Sequence, residues 1–570
     1  MSKTQRKGKS ARQSSSLNIT RRKSWKNDLI FIAIIVLLAF SIRYVSLNDN
    51  GITSDEPIYS LIGVYYVDDL LHLNFGSENW AKNLEHPPLS KYIYGAASYL
   101  VNGPAHTEDV FPVAKLASLI MGVLTCVLVY LIGRDFLDRN TGFAAAVILA
   151  LLPTFIAHTQ IAALESPLAF FVTLTVYLYL LAMKNENRNL FIASAVAFGL
   201  VMSTKYNGAL ILPVLGLFYL IYRLSQFKAR EGRLDLTTIR ANLGTLVPVK
   251  SVLIFLGLAV IMFFVFWPYL WSNPIAHLQQ SLAHWSAPMS EYFLGVKVTP
   301  PLYYYPVYFL VTLPLLLFIP LAIGIVDGIR SRDPFKAALL LWFVVPFAYG
   351  FSSFIQDGIR YIFIIYPAVA LLCALGLARA AVWISKVAGA RLRNMDGSKV
   401  LLTLTAVTAI YLLITAWSVY PYYLDYYNGL TGGPKNVQEH RLFKIGWWGE
   451  GIKECMNWIG STAPSNAQVL MLTLPEDPTN TLAFTHDQQY VYPWLADIGG
   501  TNKTYAFSRE PLLMPLGDGS TMPIVPDYVI INQKMQEDFN VTFVDPGYSL
   551  VYEATVQGAP LAQVYQKIGS

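Results

Sequence analysis

Charge is scarce in this chain. Only 14% of its 570 residues are Asp, Glu, Lys or Arg, against about a quarter in soluble globular domains, which excludes an ordinary soluble protein. Cysteine is scarcer: Cys126 and Cys373 sit inside apolar runs and Cys455 stands alone towards the C-terminus. Three thiols so placed make neither a disulfide framework nor a metal-binding spacing. A glycine-rich phosphate loop ending in Lys-Ser/Thr is missing, and so is a GxSxG elbow. Their absence argues against nucleotide-driven catalysis. No internal repeat is visible either.

What the chain has is apolar sequence. Hydrophobic residues make up 54% and aromatics 14%, with 35 Tyr and 12 Trp, a bias that suits helix ends at the headgroup level of a bilayer. A spanning helix needs about 20 apolar residues. Runs of that kind lie near 28–46, 112–133, 142–160, 166–183, 190–204, 207–223, 250–270, 303–325, 337–354, 361–380 and 400–419, the fifth of them short. The sequence therefore predicts a polytopic α-helical membrane protein with about eleven spans.

The loops alternate in charge. Nine Lys or Arg crowd the first 26 residues. Residues 1–27 read as a basic, disordered cytoplasmic tail, followed by an uncleaved first helix. A nucleic-acid-binding tail is the competing reading of that cluster, but its position beside a span makes it a topology signal, so nucleic acid is not an expected partner. Arg134 and Arg139, Lys184 and Arg188, the Arg223–Arg240 group, Arg330 to Lys336, and Lys386 to Arg393 mark one side. Positive loops face the cytoplasm, so the N-terminus is expected inside and the C-terminus outside. On this scheme 85–103 is an amphipathic helix at the outer face, within a long first outer loop at 47–111. The membrane part occupies 28–419. From 420 to 570 short β-rich runs replace the long apolar ones: "AQVLML", "PDYVIIN", "YSLVYEATV" and "AQVYQKI". They predict a mixed α/β extracytoplasmic domain. The triplets at Asn502 and Asn540 are glycosylation sequons there, a pattern common by chance.

Polar residues recur at the outer ends of the predicted helices: Asp55, Glu56, Glu85, His86, Lys91, Lys115, Glu165, Lys205 and Arg360. Each alone reads equally well as a snorkelling or solvated side chain. Together they mix carboxylates with cations on one side, which suits a site that binds an anion and moves a proton. His277 and His284, seven apart, read as structural in preference to metal-binding.

These residues sit in a recognisable set of motifs. "TSDEP" (53–57), then "EHPPLSK" (85–91), "PVAKLASLIMGVLTCVLVYLIGRDF" (112–136), "TQIAALESPLAFF" (159–171), "STKYNGALILP" (203–213), and "YYNGLTGGPKN" with "GWWGEG" (446–451) resemble glycosyltransferase family 39. This is the protein O-mannosyltransferase and aminoarabinose-transferase superfamily of GT-C fold, in its archaeal and bacterial branch. Two positions depart from the pattern: Lys115 stands where Arg is usual and Glu165 where Asp is usual. The resemblance implies transfer of a mannose-like hexose from a polyprenyl-phosphate sugar to an extracytoplasmic acceptor, whether protein, lipid or glycan, by a single inverting displacement. It implies Asp55 as the base that takes the acceptor proton, with Glu56 orienting it or holding the acceptor. Lys115, Lys205 and Arg360 are the expected phosphate cations. His86 and Lys91 of the "EHPPLSK" loop and Glu165 are expected to bind substrate or shape the site. Glu165 reads equally as a helix-start carboxylate. No cofactor is required; a divalent metal is compatible with the family but no residue cluster calls for one. The alternatives from other classes are a secondary transporter or lipid flippase, and a non-catalytic membrane scaffold.

Overall fold

The computed structural model describes residues 25–104, 110–231, 248–285, 290–352, 356–389, 396–472, 525–533 and 543–569, with residue 536 and the strands at 504–508, 513–515 and 521–523. The tail before residue 25, the sequon asparagines Asn502 and Asn540, and the basic residues Arg233, Arg240, Arg391 and Arg393 lie outside them.

Among the described residues, seven helices are long and apolar enough to cross a membrane, and two bent helix pairs raise the number to nine. Arg188–Met202 and Val249–Val265 are apolar but shorter. Every one of the eleven apolar runs falls on one of these helices or pairs, although only seven pass as single straight spans. Proline explains the bends. Arg139–Leu151 and Pro153–Gln160 meet at 66°, and Tyr304–Thr312 and Leu315–Arg330 at 109°. Pro153 and Pro314 each remove an amide donor and push the preceding residue out of helical geometry. Leu152 and Leu313 are accordingly extended, with ψ of 120° and 129°.

The stretch Gly358–Val387 is the axis of the bundle, 94% buried in its most apolar window. A helix apolar on all sides belongs in the centre. It packs backbone to backbone on Phe318–Arg330: a Cβ at Gly324 would lie 1.9 Å from the Leu372 carbonyl oxygen, and one at Gly376 would lie 1.8 Å from that of Pro320. Small residues permit this approach. Because the axis helix continues from the turn at Gly358–Ile365, Arg360 stands at the end of the most buried of the candidate spans among the described residues.

The first loop folds into two helices, Glu56–Leu71 and Leu89–Asn102. They too cross at glycine, since a Cβ at Gly63 would fall 2.2 Å from the Lys91 carbonyl oxygen. Pro87 and Pro88 hold the preceding chain, and the Leu89 amide donates to the Ser203 carbonyl at 2.9 Å, tying this loop to the segment that carries Lys205.

After Ser418 the chain turns to sheet. The strand order is Thr504–Ser508, Gln468–Leu472, Tyr528–Asn532, Ala559–Lys567 and Tyr548–Val556, parallel among the first three and antiparallel thereafter. All four β-rich sequence runs are strands of this sheet. Ile452–Thr462 packs on one face through Cys455, Met456 and Ile459. Between the last apolar helix and the sheet, residues 419–451 run across the end of the bundle that carries Asp55 and Arg360.

Candidate functional site

Asp55 and Glu56 begin the helix Glu56–Leu71, where carboxylates are favoured by the exposed amides. They point to different places. Asp55 reaches Arg360, with Oδ2 2.8 Å from Nη2, and its side chain stays 15% exposed. Glu56 is fully buried. It accepts the amides of Thr53 at 2.7 Å and Ala162 at 2.8 Å, and Lys115 stands 3.6 Å away. Burial raises the Glu56 pKa above the ordinary carboxylate range, against the opposing pull of Lys115 and the two amides.

Arg360 gathers the centre of the site. Its Nε lies 3.0 Å from Glu165 Oε1, its Nη2 takes Asp55, and its Nη1 lies 3.4 Å from Asp357 Oδ2. Glu165 is fully buried at the start of Glu165–Asn185 and shares the same oxygen with Lys205, 2.7 Å away. The indole of Trp448 covers the guanidinium at 4.4 Å, and the Tyr361 ring lies 4.5 Å from the Lys205 ammonium. Four of the sequence candidates, Asp55, Glu165, Lys205 and Arg360, are thus one contiguous ionic cluster drawn from four separate segments.

The other candidates surround it. Lys115 is not in the cluster: its ammonium donates to the carbonyls of Leu47 and Gly51 and to Asn50 Oδ1 at 3.1 Å, alongside its pairing with Glu56. Lys91 is fully buried and donates to the carbonyls of Asn83 at 3.0 Å and His86 at 2.8 Å, clamping the "EHPP" turn. Burial lowers its pKa to about 7. His86 packs on Trp285, ring centroids 4.5 Å apart, and its Nε2 lies 3.5 Å from Glu85. Burial and the nearby cations Lys205 and Lys91 push its pKa well below the usual value, so the ring is neutral. Burial, reinforced by the charge of Asp55, raises the Glu85 pKa. His277 stacks on Tyr269 and takes part in a hydrogen bond with that residue's carbonyl. Among the described residues no group of three or more His, Cys, Asp or Glu could hold a metal ion.

Beside the cluster lies a cavity of about 240 Å³. His86, Lys205, Asn207 and Tyr361 line it together with apolar residues such as Leu210, Leu282 and Ala348. A mostly apolar lining that includes the Lys205 cation suits a ligand with a charged head and a greasy tail. A larger cavity, about 830 Å³, opens elsewhere between Tyr179, Phe191, Arg223 and Phe255 and touches none of the clustered residues.

Residues 85–239 match the family model of dolichyl-phosphate-mannose-protein mannosyltransferases. The mannosyltransferase match takes in His86, Lys91, Lys115, Glu165 and Lys205 and leaves Asp55, Glu56 and Arg360 outside it. A 106-residue stretch is 35% identical to an uncharacterised protein of Aquifex aeolicus, over 18% of this chain and 21% of the relative, so the chain spans about a fifth of the length of the curated relative it matches. Among solved structures, ArnT from Cupriavidus metallidurans aligns over 95% of this chain and 98% of its own, at 14% identity and a TM-score of 0.49. The archaeal oligosaccharyltransferase AglB from Archaeoglobus fulgidus aligns over 79% of this chain and 62% of its own, at 14% identity and a TM-score of 0.47.

Several residues of the site carry no sequence signal of their own. Asp357 lies three positions before Arg360 in "QDGIRY", a stretch in which only Arg360 stands out. Trp448 lies inside the "GWWGEG" stretch and Lys444 two residues before it, and nothing in that stretch marks either as a partner of Arg360 or Asp357. Glu291 stands in a hairpin with nothing around it to mark it.

Proposed function

We propose that the protein is an integral-membrane GT-C glycosyltransferase. It moves a mannose-like hexose from a polyprenyl-phosphate carrier to an acceptor hydroxyl outside the cytoplasm, with inversion at the anomeric carbon. The observation that carries this reading is the cluster of Asp55, Glu165, Lys205 and Arg360, with Lys205 also lining a largely apolar cavity. The family match at 85–239 supports it, as does the charge asymmetry of the loops, which favours a cytoplasmic N-terminus and an extracytoplasmic C-terminus.

In this reading the donor phosphate lies between Lys205, a point charge, and Arg360, a planar fork. Asp55 accepts the proton of the acceptor hydroxyl as its oxygen attacks the anomeric carbon. The C–O bond to phosphate breaks on the opposite face, and the polyprenyl phosphate leaves with an added negative charge that the two cations stabilise. Phosphate and Asp55 compete for Arg360 Nη2, so a bound donor loosens the hold of Arg360 on the base. Glu165 keeps both cations in place. Glu56 and Lys115 act one layer away, fixing the turn from which Asp55 projects.

The test is direct. Purified protein is incubated with a panel of polyprenyl-phosphate sugars, and the label is traced into peptide, lipid and glycan acceptors by mass spectrometry. Transfer from a hexose donor with inverted linkage is expected. Uptake of the donor into proteoliposomes, with no sugar transferred to any acceptor, would overturn the reading in favour of a transporter.

A further inference from the structure

The three nitrogens of Arg360 each face a different carboxylate, and the Asp357 contact connects onward. Asp357 Oδ2 lies 3.4 Å from Arg360 Nη1, while its other oxygen lies 3.4 Å from Lys444 Nζ. Lys444 also lies 3.6 Å from Glu291. Glu291 accepts from the Tyr304 hydroxyl, and that same hydroxyl accepts the Gly358 amide at 2.7 Å. Gly358 is the residue after Asp357, so the contacts close into a ring: Asp357, Lys444, Glu291, Tyr304, Gly358. The ring fixes the turn two residues ahead of Arg360. Gly358 takes φ of +52° there, a conformation glycine adopts without strain.

Tyr304 in this ring is fully buried, while Asp357 stays 16% exposed. Lys444 and Glu291 have side chains 7% and 0% exposed. The segment that supplies Lys444 touches the site twice more. Trp448 stacks on the Arg360 guanidinium at 4.4 Å, and its carbonyl accepts the Ser54 amide at 3.1 Å, one residue before Asp55. Residues 444–448 therefore bear on both Arg360 and the backbone that presents Asp55, although they lie beyond the last apolar helix.

We infer that Lys444 is a positioning residue for Arg360, acting through Asp357, so that the segment after the membrane part completes the donor site. The physical reason is competition for Asp357. Two cations share its two oxygens, and while Lys444 holds one, Asp357 contacts Arg360 at the long distance of 3.4 Å. Without Lys444, Asp357 keeps Arg360 as its cation partner among the described residues. Asp357 then draws the guanidinium towards itself and away from the space a phosphate must fill. A point charge or fork of the right sign at 444 is required, and its bulk alone is not sufficient.

The inference rests on the phosphate-binding reading given above. Its test compares wild type with Lys444→Met, Lys444→Arg, Asp357→Asn and the Lys444→Met/Asp357→Asn double variant, each checked for a monodisperse, correctly folded fraction. The readouts are kcat and KM for the polyprenyl-phosphate sugar and affinity for polyprenyl phosphate alone. Lys444→Met is expected to lower kcat/KM by about 10- to 100-fold, as removal of one partner of a buried charge pair does. Lys444→Arg should restore most of it. The double variant should be no worse than Asp357→Asn alone, because both changes act through one contact. Additive losses in the double variant, or a Lys444→Met protein that keeps wild-type kcat/KM, would overturn the inference. If wild type transfers no sugar, the proposed function has failed. The positioning role is then judged from polyprenyl-phosphate affinity across the same five proteins, and equal affinities would overturn it.

Discussion

The neighbouring acids Asp55 and Glu56 sit in unlike surroundings, and neutralising each in turn should separate chemistry from architecture. Asp55→Asn removes one carboxylate charge from a side chain that is 15% exposed and keeps an oxygen that can still accept from Arg360 Nη2, now 2.8 Å away. The fold should survive, because Arg360 keeps Glu165 and Asp357 as counter-ions. Catalysis should not, because the acceptor proton loses its base: general-base contributions run to about 10²–10⁴ in rate, or about 3–5 kcal/mol of barrier. Glu56→Gln is the reverse case. The side chain is fully buried, two backbone amides donate to it at 2.7 and 2.8 Å, and Lys115 is 3.6 Å away. An amide there turns a donor towards those amides and leaves Lys115 without its counter-ion, at a cost of about 3–5 kcal/mol in stability. The assay is single-turnover sugar transfer from the polyprenyl-phosphate donor, normalised to the folded fraction measured by thermal unfolding in detergent. Asp55→Asn should fall at least a hundredfold at near-normal stability. Glu56→Gln should be unstable, yet its surviving folded fraction should turn over within a few-fold of wild type. Asp55→Asn protein that keeps more than a tenth of wild-type transfer would refute the assignment of the base.

Two further perturbations test other parts of the site. Lys205→Met removes a cation 2.7 Å from Glu165 and should both weaken polyprenyl-phosphate binding and lower kcat by tenfold or more, since the leaving phosphate gains charge in the transition state; a loss confined to KM would assign Lys205 to ground-state binding alone. Lys91 gives a pH signature: burial lowers its pKa from 10.5 to about 7 in the folded protein, so between pH 7 and 10.5 the unfolded chain binds more protons and stability rises with pH. Across that window the term is on the order of 4–5 kcal/mol. In unfolding midpoints measured from pH 6.5 to 10, Lys91→Met should lack that part of the rise, and a wild-type-like slope in the variant would refute it.

The bundle was legible because membrane helices are long and apolar, and all eleven runs fall on helices or bent pairs. Sequence did not show the bends at Pro153 and Pro314, since a proline inside an apolar run can either kink or end a helix, and only packing decides which. The ionic cluster was half legible. Asp55, Glu165, Lys205 and Arg360 stood out as charges at helix ends, where an ionisable group needs a partner. Asp357, Glu291 and Lys444 did not, because they lie in short segments with no periodicity, and the pairings of Lys444 with Asp357 and Glu291 span 87 and 153 positions of sequence. Lys115 shows what a position in sequence leaves open. A lysine at the start of an apolar helix looks like a phosphate cation; its carbonyl partners Leu47 and Gly51 lie in the turn "LNDNG", which sequence marks as a turn without marking the lysine it would hold.

Why the DE pair splits its work follows from helix geometry. Successive residues at a helix start project about 100° apart, so neighbours in sequence do not share a face. Asp55 precedes the first turn and looks outward to Arg360; Glu56, one step on, looks inward to Lys115 and the Ala162 amide. The inward carboxylate is held by groups from two other segments and fixes the angle at which the outward one leaves the backbone. A substitution at Glu56 can therefore abolish transfer without Glu56 touching a substrate, and activity alone does not distinguish the two acids. Only the folded fraction and the rate measured on it, taken together, separate a base from the brace that aims it.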